Sequence, residues 1–196
     1  SSPCGFITSF ASIRLNQRLI FDFILLKSYI HSLVTGFARH TTSGSNKKKI
    51  IIDPIDGTTN FICGKPYFTI SAAVEENNKI IEGCVYNPIS DEFFYSNSEA
   101  NKSYLNDKGI RVSEEKIQNS IFVLGLSFNS KKYSKYLKEW EKALEHTNKC
   151  LFWTAPAQTI CNVACGKINC FIDMGCSIHG QSAASLILKN AGGLHN

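Results

Sequence analysis

Glutamate is missing from the first 74 residues of this 196-residue chain, and the first 52 hold a single acid, Asp22. Seven bases share that stretch (Arg14, Arg18, Lys27, Arg39, Lys47, Lys48 and Lys49), a surplus of six, whereas the rest carries fourteen bases against fifteen acids. The net charge of +5 therefore belongs to the front end. The near-neutral body excludes a broad nucleic-acid-binding surface, although a basic arm that touches RNA or a membrane surface stays open. Five prolines, thirteen glycines and no repeat exclude fibrous and linker-dominated classes. The longest apolar stretch, residues 19–34, is interrupted by Asp22, Lys27 and His31 and falls short of a membrane span. It reads as a buried amphipathic helix, and no membrane association is expected. A secretory leader pattern is also lacking, and the eight cysteines fall at irregular spacings without a Cys-x-x-Cys pair. A zinc site from Cys161, Cys165, Cys170 and Cys176 is the alternative to reduced packing cysteines in a cytoplasmic protein, and the spacing favours packing.

What is present is a chain 43% hydrophobic and 19% charged, enough for one compact domain or two small ones. The polar run 41–49 is the best boundary. It sets off residues 1–46, an atypical N-terminal helical segment, from residues 47–196. Ile50, Ile51 and Ile52 follow as a short β-branched run, expected to be a strand covered on both faces. Further strands are expected at 67–74, 79–86, 92–96, 110–113, 121–126 and 167–173. Helical periodicity covers 131–146, 154–166 and 181–191, the last stopped by Gly192-Gly193. The class is mixed α/β in layers.

The stretch that carries chemistry is Asp53-Pro54-Ile55-Asp56-Gly57-Thr58-Thr59-Asn60-Phe61. A strand delivers one carboxylate, proline fixes the backbone direction, and a second carboxylate follows three positions later on a turn. Two carboxylates with the Ile55 carbonyl between them are hard oxygen donors of the kind Mg2+ takes. Gly57 permits close approach, and the N–H groups of Gly57, Thr58 and Thr59 would open a helix whose positive end faces a phosphate. Thr58 lies beside the second acid, placed to hold water. Asp-Pro-x-Asp-Gly by itself also reads as a plain turn.

The full run resembles the signature of the inositol monophosphatase family of Mg2+-dependent, lithium-sensitive sugar phosphatases. The resemblance continues through Gly64-Lys65-Pro66-Tyr67-Phe68 with Ser71, Val85-Tyr86-Asn87-Pro88, Glu92-Phe93-Phe94-Tyr95, Leu105-Asn106, Ile110-Arg111-Val112-Ser113, Val163-Ala164-Cys165-Gly166-Lys167-Ile168 and residues 186–193. It implies an αβαβα sandwich of the sugar-phosphatase type, with 47–196 as its domain, truncated at the C-terminus and incomplete at both ends. It implies hydrolysis of inositol monophosphate or a similar phosphate monoester, with Asp53 and Thr58 catalytic. Asp53, Ile55 and Asp56 would hold Mg2+, and Gly57, Thr58 and Asp173 would bind substrate, Asp173 through sugar hydroxyls. For Asp173 a solvated strand-end acid is the bland alternative. A homodimer is the implied assembly.

Two acids that the family pattern carries are missing. Its Glu-Glu pair ahead of the signature is replaced by Arg39-His40, and the Trp-Asp that opens its last site helix by His179-Gly180. These losses imply impaired activity, and imidazole is a poor ligand for Mg2+. The competing expectations are a non-catalytic member that binds RNA or RNA polymerase, and a degraded remnant.

Overall fold

In the computed structural model the described residues are 48–125, 133–147, 149–173, 175 and 178–195, without the side chains of 133–136 and 178–180. The helical reading of 1–46, the apolar stretch 19–34, Arg39-His40, Cys176 and the His179 side chain lie outside the described residues.

Six strands follow in chain order: β1 (Lys48–Asp56), β2 (Thr69–Glu76), β3 (Lys79–Asn87), β4 (Glu92–Asn97), β5 (Lys102–Leu105) and β6 (Lys108–Ile110). They form one antiparallel sheet in sequence order. Its tight turns use residues that tolerate positive φ, Asn77 and Asn78 (52° and 60°) and Asn106 and Asp107 (46° and 64°). A five-residue helix, α1 (Thr58–Ile62), lies between β1 and β2. The chain then alternates β7 (Ile121–Leu124), α2 (Tyr133–Leu144), β8 (Lys149–Phe152), α3 (Pro156–Ala164) and β9 (Cys170–Ile172), and ends in α4 (Ile178–Asn190). The three later strands make a parallel sheet in the order β8-β7-β9.

The layers stack through apolar contact. Ala73, Val85 and Phe94 on the large sheet share one buried cluster with Ile160 and Cys161 of α3 and with Ala184 and Ile187 of α4, and Phe171 of the small sheet packs against it. Trp140 of α2 closes on Leu124 from the small sheet. The fold is a layered α/β structure in which α3 and α4 fill the space beside the antiparallel sheet. At Gly83 the helix comes so close that a Cβ would sit 2.9 Å from both Cα and the carbonyl oxygen of Ala183. Cys84 and Cys161 are buried packing residues, and burial pushes the Cys84 thiol up to about 12 and that of Cys161 well above its ordinary value. No disulfide joins the described cysteines, and no described helix is long and apolar enough to cross a membrane.

Several expectations need correction. The isoleucine strand stands at the edge of the sheet among the described residues, and Ile52 is 41% exposed, so it is not covered on both faces. The expected strand 110–113 pairs only at Ile110. Beyond it the Val112 amide donates to the Ala191 carbonyl (3.1 Å), so α4 takes the bond that a ladder would have used. Strands β5 and β8 were not anticipated.

Candidate active site

In a regular strand, side chains three positions apart point to opposite faces, so Asp53 and Asp56 could not meet. The ladder removes this obstacle. Asp53 pairs with Ser71 and Asp56 with Thr69, so three steps on β1 match two on β2, and the register shifts between them. This is a one-residue bulge in which Pro54 and Ile55 together stand opposite Ile70, and Pro54 has no amide to offer a ladder. Because Ser71 and Thr69 share a face of β2, both aspartates are turned to one face of the sheet. Asp53 Oδ1 accepts from the Ile55 amide (3.1 Å) and pins the turn.

Asp56 is 5% exposed. Its Oδ2 accepts from the Ala157 amide at the start of α3 (2.8 Å) and from the Thr69 hydroxyl (3.4 Å). Burial pushes its carboxyl up from 3.8 to about 7, and the negative charge of Asp53 adds to the rise, against the hydrogen bonds from the Ala157 amide, the Thr69 hydroxyl and the Gln158 amide. Gly57 then adopts φ 84°. A Cβ there would lie 2.9 Å from Ala155 Cβ and 3.0 Å from the Tyr67 carbonyl oxygen, so only glycine closes this turn. The Thr58 hydroxyl donates back to the Ile55 carbonyl (2.8 Å).

The elements around the turn are tied to it by side chains. Asn60 donates to the Tyr67 carbonyl (2.7 Å) and accepts from the Thr154 hydroxyl (3.1 Å). The Tyr67 ring lies 4.9 Å from that of Trp153, and its hydroxyl meets those of α3 at Thr159 (3.2 Å) and accepts from Asn162 (3.2 Å). Burial holds the Tyr67 phenol well above its ordinary value, so it stays protonated. Trp153 and Thr154 follow the carboxyl end of β8, and the Trp153 amide donates to the Leu124 carbonyl (3.3 Å). The carboxyl ends of the parallel strands, where α/β sheets bind ligands, thus lead toward the aspartate turn.

Asp173 belongs to the same carboxyl ends, directly after β9. Its Oδ1 accepts from the Gly175 amide (2.9 Å), and a Cβ on Gly125 would run into its carboxylate. With Gln181 and His195 it lines a cavity of about 330 Å³. The bulged turn gathers Asp53, Ile55, Asp56, Gly57 and Thr58; Asp173 comes from the other sheet. Among the described residues no three of His, Cys, Asp and Glu gather as a metal-holding group. The donor chemistry of the turn is nevertheless that of a hard cation: two carboxylates and a carbonyl, one carboxylate buried with no counter-ion among the described residues.

The sequence motifs include Asn60 and Ser71 without giving either a role at the site, and they do not mark Thr69 or Ala157. The available signal was two small hydroxyl residues at alternate positions of an otherwise apolar strand. Nothing local marks Ala157, which acts through its backbone across 101 residues.

The profile of the inositol monophosphatase family matches residues 26–196. The chain is 34% identical over 174 residues to the Nus factor SuhB of Haemophilus influenzae and 31% identical over 184 residues to the inositol monophosphatase of Dictyostelium discoideum, in each case across 87% of this chain and 65% of the relative. It therefore spans less than two thirds of the length of these curated relatives. The crystal structure of the extragenic suppressor protein suhB from Bartonella henselae superposes with a TM-score of 0.71 at 30% identity, covering 74% of this chain and 56% of that one. With the signature turn, the layered fold and these likenesses in agreement, the chain belongs to the inositol monophosphatase family.

Proposed function

We propose that the protein is a Mg2+-dependent phosphomonoesterase acting on inositol monophosphate or a similar sugar phosphate, with activity reduced by its missing acids. The observation that carries this reading is the bulge that turns Asp53 and Asp56 to one face immediately before Gly57 and α1. Asp53, the Ile55 carbonyl and Asp56 would hold the cation. The chemistry a divalent cation supplies when bound is polarisation of phosphoryl oxygens and acidification of water. Thr58 has its proton committed to the Ile55 carbonyl, so its oxygen presents lone pairs and orients water by accepting a hydrogen. Asp53 would act in catalysis through the cation it holds. The first-turn amides from Gly57 onward have no intrahelical acceptor and suit a phosphate oxygen, and the Asp173 carboxylate suits sugar hydroxyls. A homodimer in the cytoplasm is the setting this reading takes.

The test is phosphate release from inositol 1-phosphate over a range of Mg2+ concentrations. Release that depends on Mg2+, is inhibited by lithium and falls about 100-fold or more in Asp53→Asn supports the proposal. No release at any Mg2+ concentration overturns it.

A second reading is favoured by the relative named Nus factor SuhB and by the six-charge basic surplus of residues 1–52. In it the chain binds RNA or RNA polymerase without catalysis. It requires a co-purifying partner whose binding survives Asp53→Asn.

A further inference from the structure

We propose that this chain binds one divalent cation at the Asp53–Asp56 turn and not a cluster of them, with the Ser71 hydroxyl as an additional polar contact of that one site. The inference deepens the metal-dependent reading above and rests on it.

Most oxygens of the turn are already engaged within the fold. Asp56 gives Oδ2 to the Ala157 amide and the Thr69 hydroxyl, and Asp53 gives Oδ1 to the Ile55 amide. Asp53 is left with Oδ2, which has no hydrogen bond among the described residues, whereas the Asp56 carboxylate is engaged by the Gln158 amide as well. The free Asp53 oxygen, the lone pairs the Asp56 carboxylate has left and the second lone pair of the Ile55 carbonyl offer donors for one cation, with water and substrate completing its shell, as Mg2+ sites commonly do. A second cation would need anionic donors of its own. No third acid, cysteine or histidine joins the pair among the described residues. The two further positions where the family pattern carries acids read Arg39-His40 and His179-Gly180 here, and neither brings a carboxylate. Two carboxylate charges balance one divalent ion and leave nothing for another.

The second observation is Ser71. It is 1% exposed, and its Oγ has no hydrogen-bond partner among the described residues. A buried orphan hydroxyl is costly, and it stands on the ladder partner of Asp53, facing the same side of the sheet. The orphan is explained if it turns toward the cation's hydration shell or toward the Asp53 oxygen that holds the cation.

The experiment counts Mn2+ bound by the full chain, without substrate, by equilibrium dialysis with electron paramagnetic resonance of the free ion. Asp53→Asn isolates the site. Ions held elsewhere on the surface survive it, as they survive the control Asp107→Asn at the far edge of the sheet. Loss of one ion per chain in Asp53→Asn, with none lost in the control, supports the inference. Loss of two or more, or of none, overturns it. Ser71→Ala should keep the count and weaken that ion about tenfold. Unchanged affinity overturns the placing of Ser71, and this variant carries the test should Asp53→Asn fail to give a cooperative melt. The outcome is separable from the proposed activity. One ion without phosphate release sinks the phosphatase reading alone, and two ions with release sink this inference alone.

Discussion

At Asp56 burial and charge pull against each other, and pH reads the balance. Its folded pKa of about 7, against 3.8 for an ordinary aspartate, means that the folded chain keeps a proton the unfolded chain has given up. The stabilisation from that proton is complete below about pH 4 and is lost as the pH rises through about 7. In metal-free protein, stability relative to Asp56→Asn should fall by about 4 kcal/mol across that window and stay level on either side. Chemical denaturation of both proteins through the window measures it, and a flat difference would place the carboxyl in a water-like setting. One residue on, Gly57 tests the turn itself. Gly57→Ala forces a side chain into left-handed backbone and against Ala155 and the Tyr67 carbonyl, so unfolding in urea should show a loss of about 3 kcal/mol. These residues were legible in the sequence because the turn is local: five consecutive positions, Asp53 to Gly57, supply both carboxylates, the proline and the glycine. Thr69, Ser71 and Ala157 were not, because a ladder register and a helix packed from far along the chain bring them in.

For the elements, the lesson lies in α3. Its pattern announced a helix, and the helix forms at Pro156–Ala164, yet three of its buried side chains are polar. Asn87 donates to Gln158 (3.0 Å), Gln158 donates to Asn162 (3.3 Å), and Asn162 donates to the Tyr67 hydroxyl (3.2 Å). This file of amides crosses from the antiparallel sheet through the helix to the tyrosine that supports α1. Gln158→Leu keeps the volume and removes the middle of the file, leaving the Asn87 donor and the Asn162 acceptor buried and unpaired. Thermal and urea unfolding should report a loss of about 2–4 kcal/mol. A neutral effect would mean that water already serves these amides. Periodicity could not reveal the file, since it records which positions are buried and not what they bond. The same limit hid β8, whose residues Lys149–Phe152 are mostly exposed and follow no alternation, and shortened β6, where α4 competes for the Val112 amide.

Phe171 of the small sheet packs on the apolar cluster between the large sheet, α3 and α4, so one core spans both sheets. Asp53 and Asp56 come from the large sheet, the amide that holds Asp56 from α3, and Trp153 beside Tyr67 from the end of the small sheet. A cation at the turn therefore has to stabilise all of these together. At Mg2+ ten times its dissociation constant the gain is about 1.4 kcal/mol, which for a chain of this size raises Tm by about 4 °C. The two tryptophans separate this from a local effect. Trp153 stands beside Tyr67 at the site, whereas Trp140 of α2 is buried against Leu124 and Phe152 of the small sheet. Their fluorescence should melt in one sharp transition without Mg2+ and shift upward by the same amount with it. A broad transition from the start would agree with a degraded remnant. A shift seen by Trp153 alone would show that the turn orders locally and that the amide file and core do not carry its stability to the rest of the chain.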